Sequence, residues 1–170
     1  MSVLEQTRVI LALGSNLGDR GENLCQALKA ISEKVSITKT SSVYETPPWG
    51  YIDQPSFFNQ VLSGNTSLKS TELLKFAKEI ERKMGRKNNF QNGPRLIDID
   101  ILLFGEQILK TEFLQIPHPR MLERGFVLLP LAEIEPDLVV PGTNKTVTGF
   151  IQNVDLTGIQ RLDSDRKNDQ

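Results

Sequence analysis

The apolar positions change period several times along the chain, and each change marks an element. Val9-Ile10-Leu11-Ala12-Leu13 is an unbroken apolar run ending at Gly14, which reads as a buried strand. Leu24, Ala27, Leu28 and Ile31 then recur at helical spacing and predict an amphipathic helix over residues 22–34. Residues 37–44 are rich in Thr, Ser and Val and read as a second strand. Residues 57–65 read as a third, with Phe57 and Asn59 on one face. Leu73, Leu74, Ala77, Ile80 and Met84 form the buried stripe of a second helix over residues 70–84, ended by Gly85. Lys78, Glu81 and Arg82 fall off that stripe, where solvated charge is the ordinary explanation.

From Ile97 to Phe104 the period becomes two. Ile97, Ile99, Ile101 and Leu103 alternate with Asp98, Asp100, Leu102 and Phe104. Alternate side chains of a strand share a face, so Asp98 and Asp100 stand side by side, with Cα atoms roughly 6.5–7 Å apart. Their face runs on into Leu102 and Phe104, which predicts a central strand with both carboxylates on a largely buried surface. Like charges there are costly unless a cation binds them. Asp oxygens suit Mg²⁺, which completes its shell with water and substrate phosphates. Arg95, just after the Gly93-Pro94 break, sits at the strand's mouth, where a guanidinium can face a phosphate chain. An edge strand with a solvated Asp pair is the other reading of these residues.

Loops separate these elements. The segment Gly14-Ser15-Asn16-Leu17-Gly18-Asp19 lies between strand and helix, either as a ligand loop or as a tight connection. No Lys-Ser or Lys-Thr follows its glycines, so it is not a Walker loop. Residues 46–55 hold Pro47, Pro48 and Pro55 with Trp49 and Tyr51, a stiff loop that suits a flat apolar ligand unless the Trp folds back on its own core. Residues 86–92 are polar and basic, with Arg86 at their root, and read as a lid or as a plain surface loop. Gly105-Glu106 predicts a turn that brings residues 107–110 back as a hairpin partner of the aspartate strand. His118, between Pro117 and Pro119 and near Arg120 and Arg124, fits contact with an anion, although a lone His is more often structural. Residues 126–132 predict a short apolar helix, and Leu138-Val139-Val140 a strand-like piece. Residues 1–154 form one domain in this reading, and 155–170 a polar, loosely ordered tail.

Composition narrows the class. The 170 residues carry 20 basic and 21 acidic side chains, which argues against a dedicated nucleic-acid or membrane-surface protein. The single cysteine, Cys25, excludes an intrachain disulfide and fits a reducing, cytoplasmic setting, with the thiol expected as a buried structural group. The first residues lack the apolar core of a signal peptide, and no run reaches transmembrane length.

The string G-P-R-L-I-D-I-D-I-L-L-F-G at 93–105, with G-S-N-L-G at 14–18 and T-P-P-W-G at 46–50, resembles the 6-hydroxymethyl-7,8-dihydropterin pyrophosphokinase family. The likeness runs over roughly residues 8 to 150. It implies an α+β fold with a ferredoxin-like β-α-β-β-α-β core, a central antiparallel sheet with helices packed on it. It also implies transfer of pyrophosphate from ATP to the pterin hydroxymethyl group, with release of AMP. Carried over by motif, Asp98 and Asp100 correspond to the ligands of two Mg²⁺ ions, and Arg86 and Arg95 to catalytic arginines. Lys78, Glu81, Ile101, His118 and Arg124 match ATP-site positions, and Thr46, Pro47, Trp49, Phe57, Asn59 and Phe126 match the pterin site. The chain departs from the pattern at Asn92 and Pro119, where some members carry Trp and Tyr, at Phe57, which replaces a Tyr, and at Asn88, where a basic residue occurs. The expected partners are ATP and the pterin, with neither nucleic acid nor membrane, and the expected state is a monomer. A binding module on the same fold and an ordinary γ-phosphoryl kinase are the alternatives.

Overall fold

The computed structural model describes residues 5–48, 52–85 and 95–162. The apolar run becomes β1 (Thr7–Ser15), hydrogen-bonded on both sides, and its core-facing residues lie in clusters on both faces of the sheet. Asp19 then caps α1 (Arg20–Ile31) by accepting the Glu22 N–H at 3.0 Å. The expected second strand arrives in two pieces, β2 (Ser36–Thr40) and β3 (Tyr44–Thr46), both antiparallel to β4 (Phe57–Thr66). Ser41 makes the break: its N–H donates to the Val61 carbonyl and its Oγ accepts the Val61 N–H, both at 2.9 Å. A side chain thus replaces one rung of the ladder.

The second helix, α2 (Ser70–Lys83), starts where Glu72 accepts the Lys69 N–H at 2.9 Å and stops before Gly85, whose φ of 95° suits glycine. Strand β5 (Asp98–Phe104) pairs with β1. The short β6 (Leu109–Lys110) and β7 (Gln115–Ile116) follow, then a 3₁₀ turn at Met121–Glu123, α3 (Gly125–Ile134), α4 (Val147–Ile151) and β8 (Gln160–Arg161). The main sheet runs β5-β1-β4-β3-β8, with β2 also on β4, and every pairing is antiparallel. The first β-α-β-β-α-β run therefore has the ferredoxin-like order, and its α+β class agrees with the sequence reading. One core cluster joins Leu24, Ala27, Ile31, Leu73, Phe76, Ala77 and Ile80 of the two helices to one face. A second joins Leu102, Leu103, Met121, Val127, Leu128 and Leu131 on the other. No helix among the described residues is long and apolar enough to cross a membrane.

Several expectations change. The aspartate strand is not central, because β5 is the outer strand beside β1. Its open edge is covered instead: Glu81 accepts the Ile99 N–H at 2.8 Å, and the His118 N–H donates to the Leu102 carbonyl at 2.9 Å. Glu81 is accordingly 1% exposed, not a solvated charge, although it stands one residue past Ile80 on α2. A register shift opposite Ile10 and Leu11 leaves Leu102 as an extra residue, so Leu103 joins the α3 side and Phe104 packs with the α1–α2 cluster. The face of Asp98 and Asp100 continues into Leu102 but not into Phe104. Residues 107–110 do not pair with β5; β6 pairs with β7, because Gly105, at φ 54°, donates to the Arg8 carbonyl and ends the ladder there. Cys25 is exposed, since it lies off the Leu24–Ala27–Ile31 stripe. Leu74 and Met84 are only partly buried, and Phe76 takes their place in the core. The Leu138–Val140 piece makes a single bridge, Val139 to Thr146. The polar tail includes β8, which lies against β3.

Candidate active site

On the α3 side of the sheet the second cluster stops short, and a cleft of about 140 Å³ opens. Strand register explains why. Asp98 faces Gly14 on β1, and Gly14 faces Asn59 on β4; Asp100 faces Ala12, and Ala12 faces Val61. Residues directly opposite in antiparallel strands share a face, so two small side chains leave room between the aspartates and the β4 wall. A Cβ on Gly14 would stand 3.0 Å from Asn59 Oδ1, so glycine keeps that floor open. Asp98, Asp100, Arg95 and Arg124 line one part of the cleft, and Thr46, Pro47, Phe57, Asn59 and Phe126 line the rest.

The second part is held by a short network. Asn59 Nδ2 donates to Thr46 Oγ1 at 2.6 Å, with both residues buried, which fixes the amide's orientation. The first part is held by Asn16, which is 1% exposed. Its N–H donates to the Arg95 carbonyl at 3.0 Å, and its Oδ1 accepts the Arg95 N–H at 2.7 Å. Its Nδ2 donates to Gln54 Oε1 at 2.8 Å and to the Pro55 carbonyl at 3.0 Å. One side chain thus joins the Gly14 loop, the end of the proline loop and the root of Arg95. Arg20 makes a parallel tie: it donates to the Ser56 carbonyl and Oγ at 3.0 Å, pairs with Glu45 at 3.2 Å and lies 3.8 Å from the Phe58 ring centroid.

Charge follows geometry. Burial pushes the Asp100 carboxyl up to about 7, and Asp98 beside it and Glu81 behind it add to this; Arg124 and Lys78 oppose them. Burial and the neighbouring Arg124 and Arg120 push His118 down to about 4, against the pull of Asp98. The backbone N–H of Arg120 donates to His118 Nδ1 at 3.2 Å, a bond that an unprotonated Nδ1 allows. Burial also lowers Arg124, offset by Asp100. Its guanidinium carbon lies 5.5 Å from the Phe126 ring centroid.

Of the expected ATP-side residues, Arg124 lines the cleft and the others stand around the covered edge of β5. Lys78 pairs with Glu81 at 3.6 Å, Glu81 and His118 hold β5 backbone groups, and Ile101 is 4% exposed in the α1–α2 core. Arg86, Trp49 and the lid at 86–92 lie outside the described residues. The Gly14–Asp19 segment reads from the sequence as a possible ligand loop, but neither the tie from Asn16 nor the Gly14 and Ala12 floor was singled out. The G-S-N-L-G segment carried the signal, since a polar side chain beside a buried strand end needs a partner.

Among the described residues no group of three or more His, Cys, Asp or Glu side chains is arranged so that it could hold a metal ion by itself. The donor set is two hard carboxylates, Asp98 and Asp100, on one wall of an open cleft. That fits Mg²⁺ held by one or two carboxylates with substrate phosphates, and it does not fit an all-protein metal cage.

The profile of the family described as 7,8-dihydro-6-hydroxymethylpterin-pyrophosphokinase matches residues 10–136. A 2-amino-4-hydroxy-6-hydroxymethyldihydropteridine pyrophosphokinase of Aquifex aeolicus is 44% identical over 142 residues, covering 84% of this chain and 89% of that protein. The protein of the same name from Bacillus subtilis is 50% identical over 126 residues, 73% of this chain and 75% of that one. A folic acid synthesis protein of Dictyostelium discoideum is 49% identical over 146 residues, but these are 86% of this chain and only 22% of that longer protein. Among solved structures, wild-type HPPK-DHPS of Plasmodium falciparum superposes with a TM-score of 0.70 at 18% identity, over 87% of this chain and 44% of that one, a likeness of fold. With its cleft, its ferredoxin-like sheet and these matches together, the chain belongs to the 7,8-dihydro-6-hydroxymethylpterin-pyrophosphokinase family.

Proposed function

We propose that the cleft is the place where this chain joins ATP to 6-hydroxymethyl-7,8-dihydropterin. Pyrophosphokinase activity in folate biosynthesis, with ATP as co-substrate, is what the family and the relatives' names indicate. The observation that carries the site reading is the meeting, in one cleft, of an acidic and cationic wall with a wall of aromatic and amide groups. The hydroxymethyl oxygen attacks the β-phosphorus of ATP, the bond from that phosphorus to the α-phosphate oxygen breaks, AMP leaves and the hydroxyl proton passes to solvent.

Asp98 and Asp100 would hold two Mg²⁺ ions. Bound there, they would neutralise the triphosphate and offset the burial and the Asp98 repulsion that lift Asp100. Arg95 brings positive charge to the same wall from a backbone fixed at both its N–H and its carbonyl by Asn16. Such preorganised charge stabilises a transition state without reorganising during the reaction. Arg86 is the second proposed catalytic arginine. Arg124, with Lys78, Glu81, Ile101 and His118, serves the nucleotide side. Phe57 and Phe126 offer ring faces to the flat bicycle, with Thr46, Pro47, Trp49 and Asn59 completing its slot. The near balance of charges argues against nucleic acid and membrane as partners, the lone cysteine fits a cytoplasmic setting, and a monomer is the proposed state.

The test is a nucleotide assay. With ATP, Mg²⁺ and the pterin, AMP should form in step with a pterin diphosphate. ADP as the sole pterin-dependent product would mark an ordinary kinase. No pterin-dependent turnover by folded protein would mark a binding module.

A further inference from the structure

The tail segment at residues 155–162 touches both walls of the cleft and takes no place in either core cluster. At one end it crosses Gly125, the first residue of α3, between the cleft residues Arg124 and Phe126. A Cβ on Gly125 would stand 2.6 Å from the Asp155 carbonyl oxygen and 2.9 Å from Leu156 Cδ2, so this crossing needs glycine. Further along, Gly158, at φ 81°, lies where a Cβ would meet Pro47 Cγ at 2.8 Å. Strand β8 then adds to β3, pairing Arg161 with Tyr44 and Gln160 with Glu45, and Leu162 donates its N–H to the Val43 carbonyl at 2.9 Å.

A charged cluster fastens this end. Glu133 of α3 accepts the Tyr44 hydroxyl at 2.9 Å and the Ser42 N–H at 2.5 Å, and pairs with Arg161 at 3.4 Å. Burial, with the Glu133 carboxylate beside it, pushes the Tyr44 phenol up to about 12, so the hydroxyl stays a donor. The segment therefore runs from the start of α3, where it packs against Gly125, to β3, where it is bonded. Its own side chains are mostly exposed, so burial of core surface does not account for it.

We infer that residues 155–162 are a positioning strap, setting the distance between the Thr46 and Pro47 wall and the Phe126 wall and hence the fit of the pterin ring. This rests on the pterin-side reading of those walls. Arg161 and Gly158 act through Glu133, β3 and Pro47, not on substrate.

Two variants of the full chain test it. Gly158→Asn tolerates the left-handed backbone but presses a Cβ on Pro47. Arg161→Ala removes an exposed ion pair and leaves the core intact. Pterin affinity should weaken roughly tenfold in Gly158→Asn, short of the hundredfold that a 1 Å misplacement of reacting groups can cost. It should weaken about threefold in Arg161→Ala, as expected for one exposed pair, with recovery in Arg161→Lys. ATP affinity should stay within about twofold in both, because the strap's bonded end faces the pterin wall. Equal losses for ATP and pterin, or no loss in folded protein, would overturn the strap. Hydrogen exchange gives an independent readout: amides at residues 43–46 and 126–128 should exchange faster in both variants, and unchanged exchange would also overturn it. If the wild-type chain makes no AMP with the pterin, the proposed function fails, while exchange still decides whether the strap holds the walls.

Discussion

The two faces of the central sheet use the same strands and differ in what covers them. On one face α1 and α2 pack Leu24, Ala27, Ile31, Leu73, Phe76 and Ile80 over Ile97, Ile99 and Ile101. On the other, α3 covers only the far half, where Leu102 and Leu103 meet Met121, Val127 and Leu128. The near half is left to Asp98, Asp100, Gly14, Asn59 and Thr46. Strand β5 carries the contrast within a few residues, since its isoleucines stabilise the domain and its aspartates burden it. Two carboxylates on one wall, one of them lifted to about 7 by burial and by its neighbour, are a cost to the folded state that Arg124 and Lys78 offset in part and the proposed cation site would offset further. The closed face is where stability is made, and the open face is where some of it is given up for chemistry.

Neighbouring substitutions on β5 should separate these roles. The largest effect expected is from Asp100→Asn, which keeps the volume and removes the charge. Turnover should fall about a thousandfold, the scale of losing a main electrostatic contributor. The melting temperature without metal should stay level or rise, because a like charge beside Asp98 is gone. Near-normal turnover would remove Asp100 from the proposed metal site. One residue away, Ile99→Ala should do the reverse. It empties a site that is 3% exposed and should cost about 2–5 kcal/mol in denaturant unfolding, with kcat in the remaining folded protein changed far less. If Ile99→Ala and Asp100→Asn gave the same profile, the division between faces would collapse.

The closed face was legible from periodicity alone, because burial on one side of a helix or strand writes itself into spacing. The helices at residues 22–34 and 70–84 appear as α1 and α2 with ends shifted by a few residues. What spacing could not convey was partnership. Nothing local distinguishes Glu81 from its solvated neighbours, because its burial depends on the Ile99 N–H at the strand edge, far along the chain. The outer position of β5 was equally hidden, since an edge covered by Glu81 and the His118 backbone reads as apolar as a central strand. The split between β2 and β3 depends on Ser41 reaching Val61, another non-local bond. On the open face, the pairing of Asp98 with Asp100 was visible from the strand period. The facing of both by Gly14 and Ala12 needed the register of β1, and the tie from Asn16 to Arg95 needed the fold.

That tie gives a prediction of intermediate size. Asn16→Ala removes the side-chain bonds from Asn16 to the Arg95 N–H, the Gln54 Oε1 and the Pro55 carbonyl. The cost in stability should be about 1 kcal/mol, the net worth of hydrogen bonds whose partners are only part-buried. If Asn16 positions the open face, kcat should also fall roughly tenfold while ATP affinity changes little, as for an interaction made mainly in the transition state. A loss of stability with unchanged kcat would make Asn16 part of the closed, structural half of the comparison.

The smallest effect expected lies at the margin between the faces, where His118 holds the β5 edge through its backbone and faces Arg124, Arg120 and Asp98 through its ring. Its folded value, about 4, is below the ordinary 6.5, so the unfolded chain takes up a proton that the folded chain refuses. Stability from this group is therefore fully present above about 6.5 and is lost as pH falls toward 4. His118→Gln keeps an acceptor for the Arg120 N–H and cannot titrate. The two proteins should melt alike at pH 8, and the wild type should lose more of its melting temperature than the variant between pH 6.5 and pH 4. The ring is partly exposed, so screening keeps the gap modest. Parallel curves through that window would mean that His118 protonates as easily folded as unfolded, and that the ring belongs to the solvent side of the cleft.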